Sequence, residues 1–268
     1  MTVTPGHPQI TDAMIQQYDD EGYFILEGAL SEEQLALLRG EASFAVDRID
    51  RQMDEQGVDR IGINARHKRY FSAMVYQERP ALREFLFSET MAEVCRATLG
   101  GQAFLFWEQY VIKGTDEDTT FAWHQDSGYV HEDAEPYLTC WIALDDVTEE
   151  NGSIYLLPYS RSGIRSYVKH IRDTRTNDKT CYFGSDPGLP VIARAGSIVV
   201  FSSLVIHRSG ANRTDRMRSV YLAQYSRSVI MSRDGRQPYG SFDPFLEDGQ
   251  IVAGCDDPDS SCGRASLD

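Results

Sequence analysis

Apolar and polar positions along this chain follow two different periods, and the change falls near residue 102. Upstream the spacing is helical. Thr11 offers an N-cap for a short amphipathic helix over residues 12–21, and Gly22 ends it ahead of the strand-like Tyr23-Phe24-Ile25-Leu26. Ser31-Glu32-Glu33-Gln34 has the form of a capping box, and Leu35, Leu37, Leu38, Ala42, Phe44 and Ala45 carry helical spacing on towards Ile49. A polar stretch, Asp54-Glu55-Gln56-Gly57, leads to the locally basic run of residues 60–70. A further helix is predicted over residues 80–99, with Pro80 in its first turn and Gly100-Gly101 as its stop.

Downstream the period becomes that of strands. Residues 104–112, 137–144, 153–157, 190–193, 197–201 and 219–225 are short apolar or alternating runs bounded by turn residues. Helices first and many short strands afterwards predict a mainly β sandwich or barrel with flanking helices outside it. The chain is expected to form a single domain over 1–268, with a helical layer at about 11–100, the β core at about 102–227 and a loop-like tail over 235–268. Asp256, Asp257 and Asp259 in that tail lack the spacing of a calcium loop and predict a solvated acidic segment.

Composition narrows the partners. A formal net charge of −15 argues against a nucleic-acid or anionic-membrane surface, since both select basic faces. A small-molecule ligand is the expectation. No stretch approaches the roughly 18 apolar residues of a membrane span. The first residues show no basic and apolar leader pattern, so a cytoplasmic location is the default. Five scattered cysteines, Cys95, Cys140, Cys181, Cys255 and Cys262, contain no Cys-x-x-Cys pair and predict reduced thiols over a disulfide framework or structural zinc site.

The stretch with chemistry in it is Trp123-His124-Gln125-Asp126-Ser127-Gly128-Tyr129. In extended backbone, positions i and i+2 share a face, so His124 and Asp126 can point at one spot. His207, at the end of the apolar run from residue 197, is the best third donor. Two histidines and one carboxylate on one face of a metal leave other positions open, which suits non-haem Fe(II) oxygen chemistry. Arg218 follows at the head of the last long strand, and its planar fork suits the carboxylate of an anionic cosubstrate. Tyr129 is expected to face the pocket and His131 less so, Trp141 to be core, and Asn151-Gly152 to form a tight hairpin turn.

Over roughly residues 12–227 the sequence resembles the phytanoyl-CoA dioxygenase family of Fe(II)/2-oxoglutarate-dependent oxygenases. The resemblance is carried by Trp123-His124-Gln125-Asp126, by residues 141–153, by Pro158-Tyr159-Ser160-Arg161, where the family usually shows Pro-Gly-Ser-His, and by His207-Arg208-Ser209-Gly210-Ala211-Asn212 leading to Arg218. It implies a double-stranded β-helix, a cupin-like jelly roll, with His124, Asp126 and His207 as iron ligands. It further implies Arg218 and Ser209 on the distal carboxylate of 2-oxoglutarate, Gln109 facing cosubstrate or substrate, and dioxygen as co-reactant. Related halogenases carry a small residue where Asp126 stands, so halogenation is disfavoured and hydroxylation is the expected outcome, with desaturation, epoxidation and ring closure by the same oxidant left open.

The resemblance leaves the substrate open, and a small polar or anionic metabolite or natural-product intermediate is the expectation. Asn64, Arg66 and Lys68 lie where family members place a segment over the active-site mouth, and they are the candidate contacts for an anionic substrate; a solvated loop is the alternative. Candidate lids are residues 64–76, 160–187 and 235–268. Two other readings stay open: a metal-dependent cupin enzyme that does not use 2-oxoglutarate, and a non-catalytic jelly-roll binding module. Arg218 and Ser209 argue against both.

Overall fold

The structure, a computed structural model, describes residues 9–115, 119–131, 133–172 and 178–252. Helix α1 (Asp12–Glu21) is capped by the Thr11 side chain and stopped at Gly22, and β1 (Tyr23–Leu26) follows. Helix α2 (Glu32–Gln56) opens on a complete capping box between Ser31 and Gln34. It runs through the stretch expected to be polar linker and ends only at Gly57, because Met53 keeps the buried stripe of Leu38, Ala42, Ala45 and Ile49 going for one more turn. Phe44 is not part of that stripe. It is 46% exposed and lies under the Arg79 guanidinium.

The basic run is not a loop. It folds into β2 (Arg60–Ile61), β3 (Asn64–Ala65) and β4 (Arg69–Ala73), a meander on the edge of the main sheet. The helix expected over 80–99 is two helices, α3 (Pro80–Leu86) and α4 (Glu89–Leu99). Ser88 between them is extended, and Phe87 at the break packs edge-on against Phe245.

The β core continues with β5 (Ala103–Lys113), β6 (Phe121–His124), β7 (Leu138–Ala143) and β8 (Ile154–Leu157), followed by a one-turn α5 (Tyr159–Ser162). Next come β9 (Ile171–Arg172), β10 (Lys179–Thr180), β11 (Leu189–Pro190), β12 (Ile198–Ser202), β13 (Ile206–Ser209) and β14 (Arg218–Ser226). The expected strand at 190–193 is thus reduced to β11. The tail is only partly loop-like: β15 (Asp243–Glu247) pairs with β5, and β16 (Gln250–Ile251) pairs with β15. Residues 256, 257 and 259, with Cys255 and Cys262, lie outside the described residues. Cys95, Cys140 and Cys181 are buried free thiols, as expected.

Two antiparallel sheets face each other as a double-stranded β-helix. The larger has the order β1-β12-β7-β14-β5-β4-β3-β2, and the smaller β11-β8-β13-β6. Strand β7 is buried at every position, because Cys140 and Ile142 pack towards the helices while Trp141 and Ala143 belong to the cluster between the sheets. A strand covered on both faces loses polar alternation, which is why residues 138–143 read as a continuous apolar run. Among the described residues no helix is long and apolar enough to cross a membrane.

Candidate metal and cosubstrate site

The smaller sheet brings the two histidines together. His207 on β13 is the cross-strand partner of His124 on β6, and their rings are 4.2 Å apart. Strand β6 ends at His124, Gln125 stays extended, and Asp126 begins a 3-10 turn over Asp126–Tyr129. His124 and Asp126 therefore share a face as the spacing predicts. The Gln125 side chain points the other way, donating to the Ser166 and Leu204 carbonyls and accepting from the Val168 amide.

Both imidazoles are oriented by the same local device. Nδ1 of His124 bonds the Ala122 carbonyl at 2.7 Å, and Nδ1 of His207 bonds the Val205 carbonyl at 3.0 Å. With the proton on Nδ1, each Nε2 offers its lone pair to a metal. These nitrogens stand 3.8 and 3.5 Å from Asp126 Oδ1. Asp126 Oδ2 accepts from Thr139 Oγ1 at 2.6 Å and from Gln224 Nε2 at 3.1 Å, which leaves Oδ1 for the metal. Burial, and then the adjacent His207 ring, hold the His124 imidazole well below its ordinary value and so neutral. The ligand atoms of His124, Asp126 and His207 lie within 4.8 Å of one another. Borderline nitrogen donors with one hard oxygen suit iron in this arrangement.

The same cavity, about 340 Å³, contains Arg218 and Ser209. Arg218 is 2% exposed, and its Nη2 donates to the Gly152 carbonyl at 2.7 Å. Among the described residues its Nε and Nη1 are buried without a protein partner. Burial lowers this guanidinium to about 10, against the opposing pull of Asp145. Buried donors left in that state call for an anion.

Arg218 is paired in register with Lys113 on β5, and Lys113 with Arg69 on β4, so three adjacent strands carry three basic side chains abreast. Lys113 is 1% exposed and donates to Thr119 O, Ser209 Oγ and Gly210 O. Burial, then Arg218, depress it to about 6. The Ser209 hydroxyl expected on the cosubstrate thus serves first as an acceptor for Lys113.

Gln109 and Tyr129 line the cavity too. Asn64, Arg66 and Lys68 do not. Asn64 Oδ1 accepts from the Phe71 amide inside the meander. Arg66 faces Asp50, Asp54 and Asp59 along α2 and the turn after it. Lys68 is exposed, and its carbonyl accepts from Gly114. From that segment Ile63, Arg69 and Phe71 reach the cavity instead. Trp141 is both core and wall, with Arg218 lying 5.5 Å over its ring. His131 bonds the Met231 carbonyl. Lys113 was detectable from sequence, since it continues the Gln109-Val111 face of a long strand. Thr139, Gln224 and Arg69 matter through register, which the sequence does not display.

A jelly roll holding one His-Asp-His face beside a buried, anion-seeking arginine defines the mononuclear non-haem iron oxygenase class. Within it, residues 18–220 match the model of the phytanoyl-CoA dioxygenase (PhyH) family, and the chain belongs to that family. It is 26% identical over 239 residues to an ectoine dioxygenase of Bordetella parapertussis, covering 78% of this chain and 74% of that protein. It is 24% identical over 261 residues to phytanoyl-CoA dioxygenase domain-containing protein 1 of Danio rerio, with 79% and 88% covered. Among solved structures, the non-haem alpha-ketoglutarate-dependent epimerase SnoN from nogalamycin biosynthesis superposes with a TM-score of 0.64 at 21% identity, over 91% of this chain and 95% of that one. EvdO2 from Micromonospora carbonacea var. aurantiaca in complex with 2-oxoglutarate gives 0.62 at 21% identity, over 88% and 95%. These two likenesses concern the fold.

Proposed function

We propose that this protein is an Fe(II)- and 2-oxoglutarate-dependent dioxygenase that hydroxylates an unactivated C–H bond of a small molecule, releasing succinate and CO2. His124, Asp126 and His207 hold the iron, and Arg218 takes the distal carboxylate of 2-oxoglutarate, with Ser209 and Lys113 beside it. Iron, 2-oxoglutarate and dioxygen together supply the oxidant for the C–H bond. The chain's own part is positional. The two Nδ1 bonds fix the imidazoles, Thr139 and Gln224 fix the carboxylate, and Leu222 and Trp141 line the same cavity with apolar surface.

The observation that carries the reading is Arg218, buried in the cavity that holds the His-Asp-His set with Nε and Nη1 unpartnered among the described residues. A cupin enzyme without a dicarboxylate cosubstrate, or a binding module, gives that arginine nothing to do. Anaerobic titration with Fe(II) and then 2-oxoglutarate tests it. A visible charge-transfer band of the chelated keto acid is expected in wild type, absent in Asp126→Ala and shifted to much higher 2-oxoglutarate in Arg218→Ala. Iron binding with no band in wild type would return the assignment to a cupin enzyme of another kind.

A further inference from the structure

The cavity is ordered along one strand. Positions 113, 111, 109 and 107 of β5 project into it in turn, and their partners on β14 are Arg218, Val220, Leu222 and Gln224. The first of these rows is basic, joined there by Arg69. A further lining cation, Arg208, lies 3.8 Å over the Tyr155 ring and donates to the Pro187 carbonyl. Asp178 lines the cavity as an acid, and its neighbour Lys179 donates to the Gly128 carbonyl while lying over the Tyr129 ring.

The last row pairs Trp107 with Gln224, whose amide is engaged by Asp126 and Thr139, and further aromatic side chains line the cavity around it. Trp107 stacks with Tyr239 at 6.1 Å and 28°, Phe106 meets Tyr137 edge-on at 4.8 Å, and Tyr129 stands edge-on to His124. The Tyr239 side of this wall is held in place by the backbone. At Gly240 φ is +101°, and a Cβ there would lie 2.0 Å from the Phe106 carbonyl oxygen, so only glycine lets the loop press onto β5. The Ser241 amide donates to that same carbonyl, the Tyr239 amide donates to Ile230 O, and buried Ile230 and Phe242 anchor the loop on either side. Trp107 Nε1 donates to Gln109 Oε1 at 3.3 Å, which leaves the Gln109 amino group to donate into the cavity.

From this polarity we infer that the substrate is a neutral, ring-bearing molecule. Its ring lies against the Trp107–Tyr239 wall, and a carbonyl or hydroxyl oxygen accepts from the Gln109 amide. The inference rests on the proposed function and deepens it: a cosubstrate on the Arg218 row leaves the second ligand the aromatic end of the cavity, where Gln109 is a neutral donor. Stacked indole and phenol faces favour flat apolar rings. An anionic substrate, the expectation from the basic run, finds Arg66 held by three aspartates and the Arg218 row taken by the cosubstrate.

The test uses the full chain loaded anaerobically with Fe(II) and 2-oxoglutarate. Two neutral ring ketones, 1-tetralone and progesterone, are titrated against octanoyl-CoA and L-aspartate, with the charge-transfer band as readout. Tryptophan fluorescence of the metal-free protein is followed in parallel. The ring ketones are expected to shift the band and quench fluorescence saturably. Trp107→Leu and Tyr239→Leu should each weaken that binding at least tenfold while leaving the 2-oxoglutarate titration unchanged. Saturation by octanoyl-CoA or L-aspartate alone, no ring ketone binding by either readout, or ring-ketone affinity unaltered in both variants would overturn the inference. Loss of the band with fluorescence binding intact counts against the cosubstrate assignment and not against the ring wall.

Discussion

His207 stands directly across the β6–β13 pair from His124, and each ring is held by a carbonyl two residues before it. Eighty-odd residues of chain separate them, yet one strand pairing sets the spacing of both Nε2 atoms. Asp126 completes the face only because its other oxygen is occupied by Thr139 and Gln224, which are themselves cross-strand partners on β7 and β14.

That outer pair gives the first prediction. Thr139→Val and Gln224→Leu keep the ligands and remove the bonds that orient Asp126. Fe(II) affinity should fall about 10–100-fold in each, the usual cost of losing such support. Anaerobic iron titration with circular dichroism as a fold control measures this. Wild-type iron affinity in both variants would show that Asp126 is oriented by something else.

A second prediction concerns the arginine fork. Arg218→Lys keeps a positive charge but loses the planar donors, and a lysine at a bidentate site is a point charge only. The 2-oxoglutarate concentration needed for half-saturation should rise at least about tenfold, equivalent to roughly 1.4 kcal/mol, with iron binding unchanged. Equal cosubstrate affinity in the two proteins would remove Arg218 from the carboxylate.

The turn at Asn151-Gly152 carries a third. Gly152 has φ of +84°, and its carbonyl accepts from Arg218 Nη2. A Cβ there would stand 2.8 Å from the Gly210 carbonyl oxygen. Gly152→Ala should therefore displace the arginine's anchor and raise the 2-oxoglutarate requirement several-fold, with a modest drop in melting temperature and no change in iron affinity. A melting-temperature loss alone would make the turn purely architectural.

What could be read in advance was whatever is local in sequence. The caps at Thr11 and Ser31, the i, i+2 pair of His124 and Asp126, and the long apolar strands depend on neighbours a few residues away. What could not be read depends on register. The row Arg69-Lys113-Arg218 assembles from three strands, and nothing near Arg69 marks it as different from Arg66, which folds onto α2 instead. The β15 strand was hidden for a related reason: its Pro244 and acidic flanks read as tail, and the proline is tolerated because β16 pairs only with Leu246 and Glu247, leaving the Pro244 end open on that side.

Glu108 offers a prediction unconnected with the iron. It is fully buried on the face of β5 opposite Gln109, accepts from the Tyr76 amide at 3.0 Å, and has its other oxygen without a hydrogen-bond partner among the described residues. Burial raises its carboxyl from 4.5 to about 7, against the opposing effect of the Tyr76 amide. Between those two pH values the folded protein keeps a proton that the unfolded chain has lost, so this group's contribution to stability is full below pH 4.5 and disappears as pH rises through about 7. Glu108→Gln mimics the protonated acid at every pH. The variant should be more stable than wild type at pH 8 by about 3 kcal/mol, since each pH unit separating the folded and unfolded titrations is worth roughly 1.4 kcal/mol, and the gain should have largely vanished at pH 5. Urea unfolding at the two pH values measures this, and a gain of the same size at both would mean that Glu108 is ionised in the folded protein throughout.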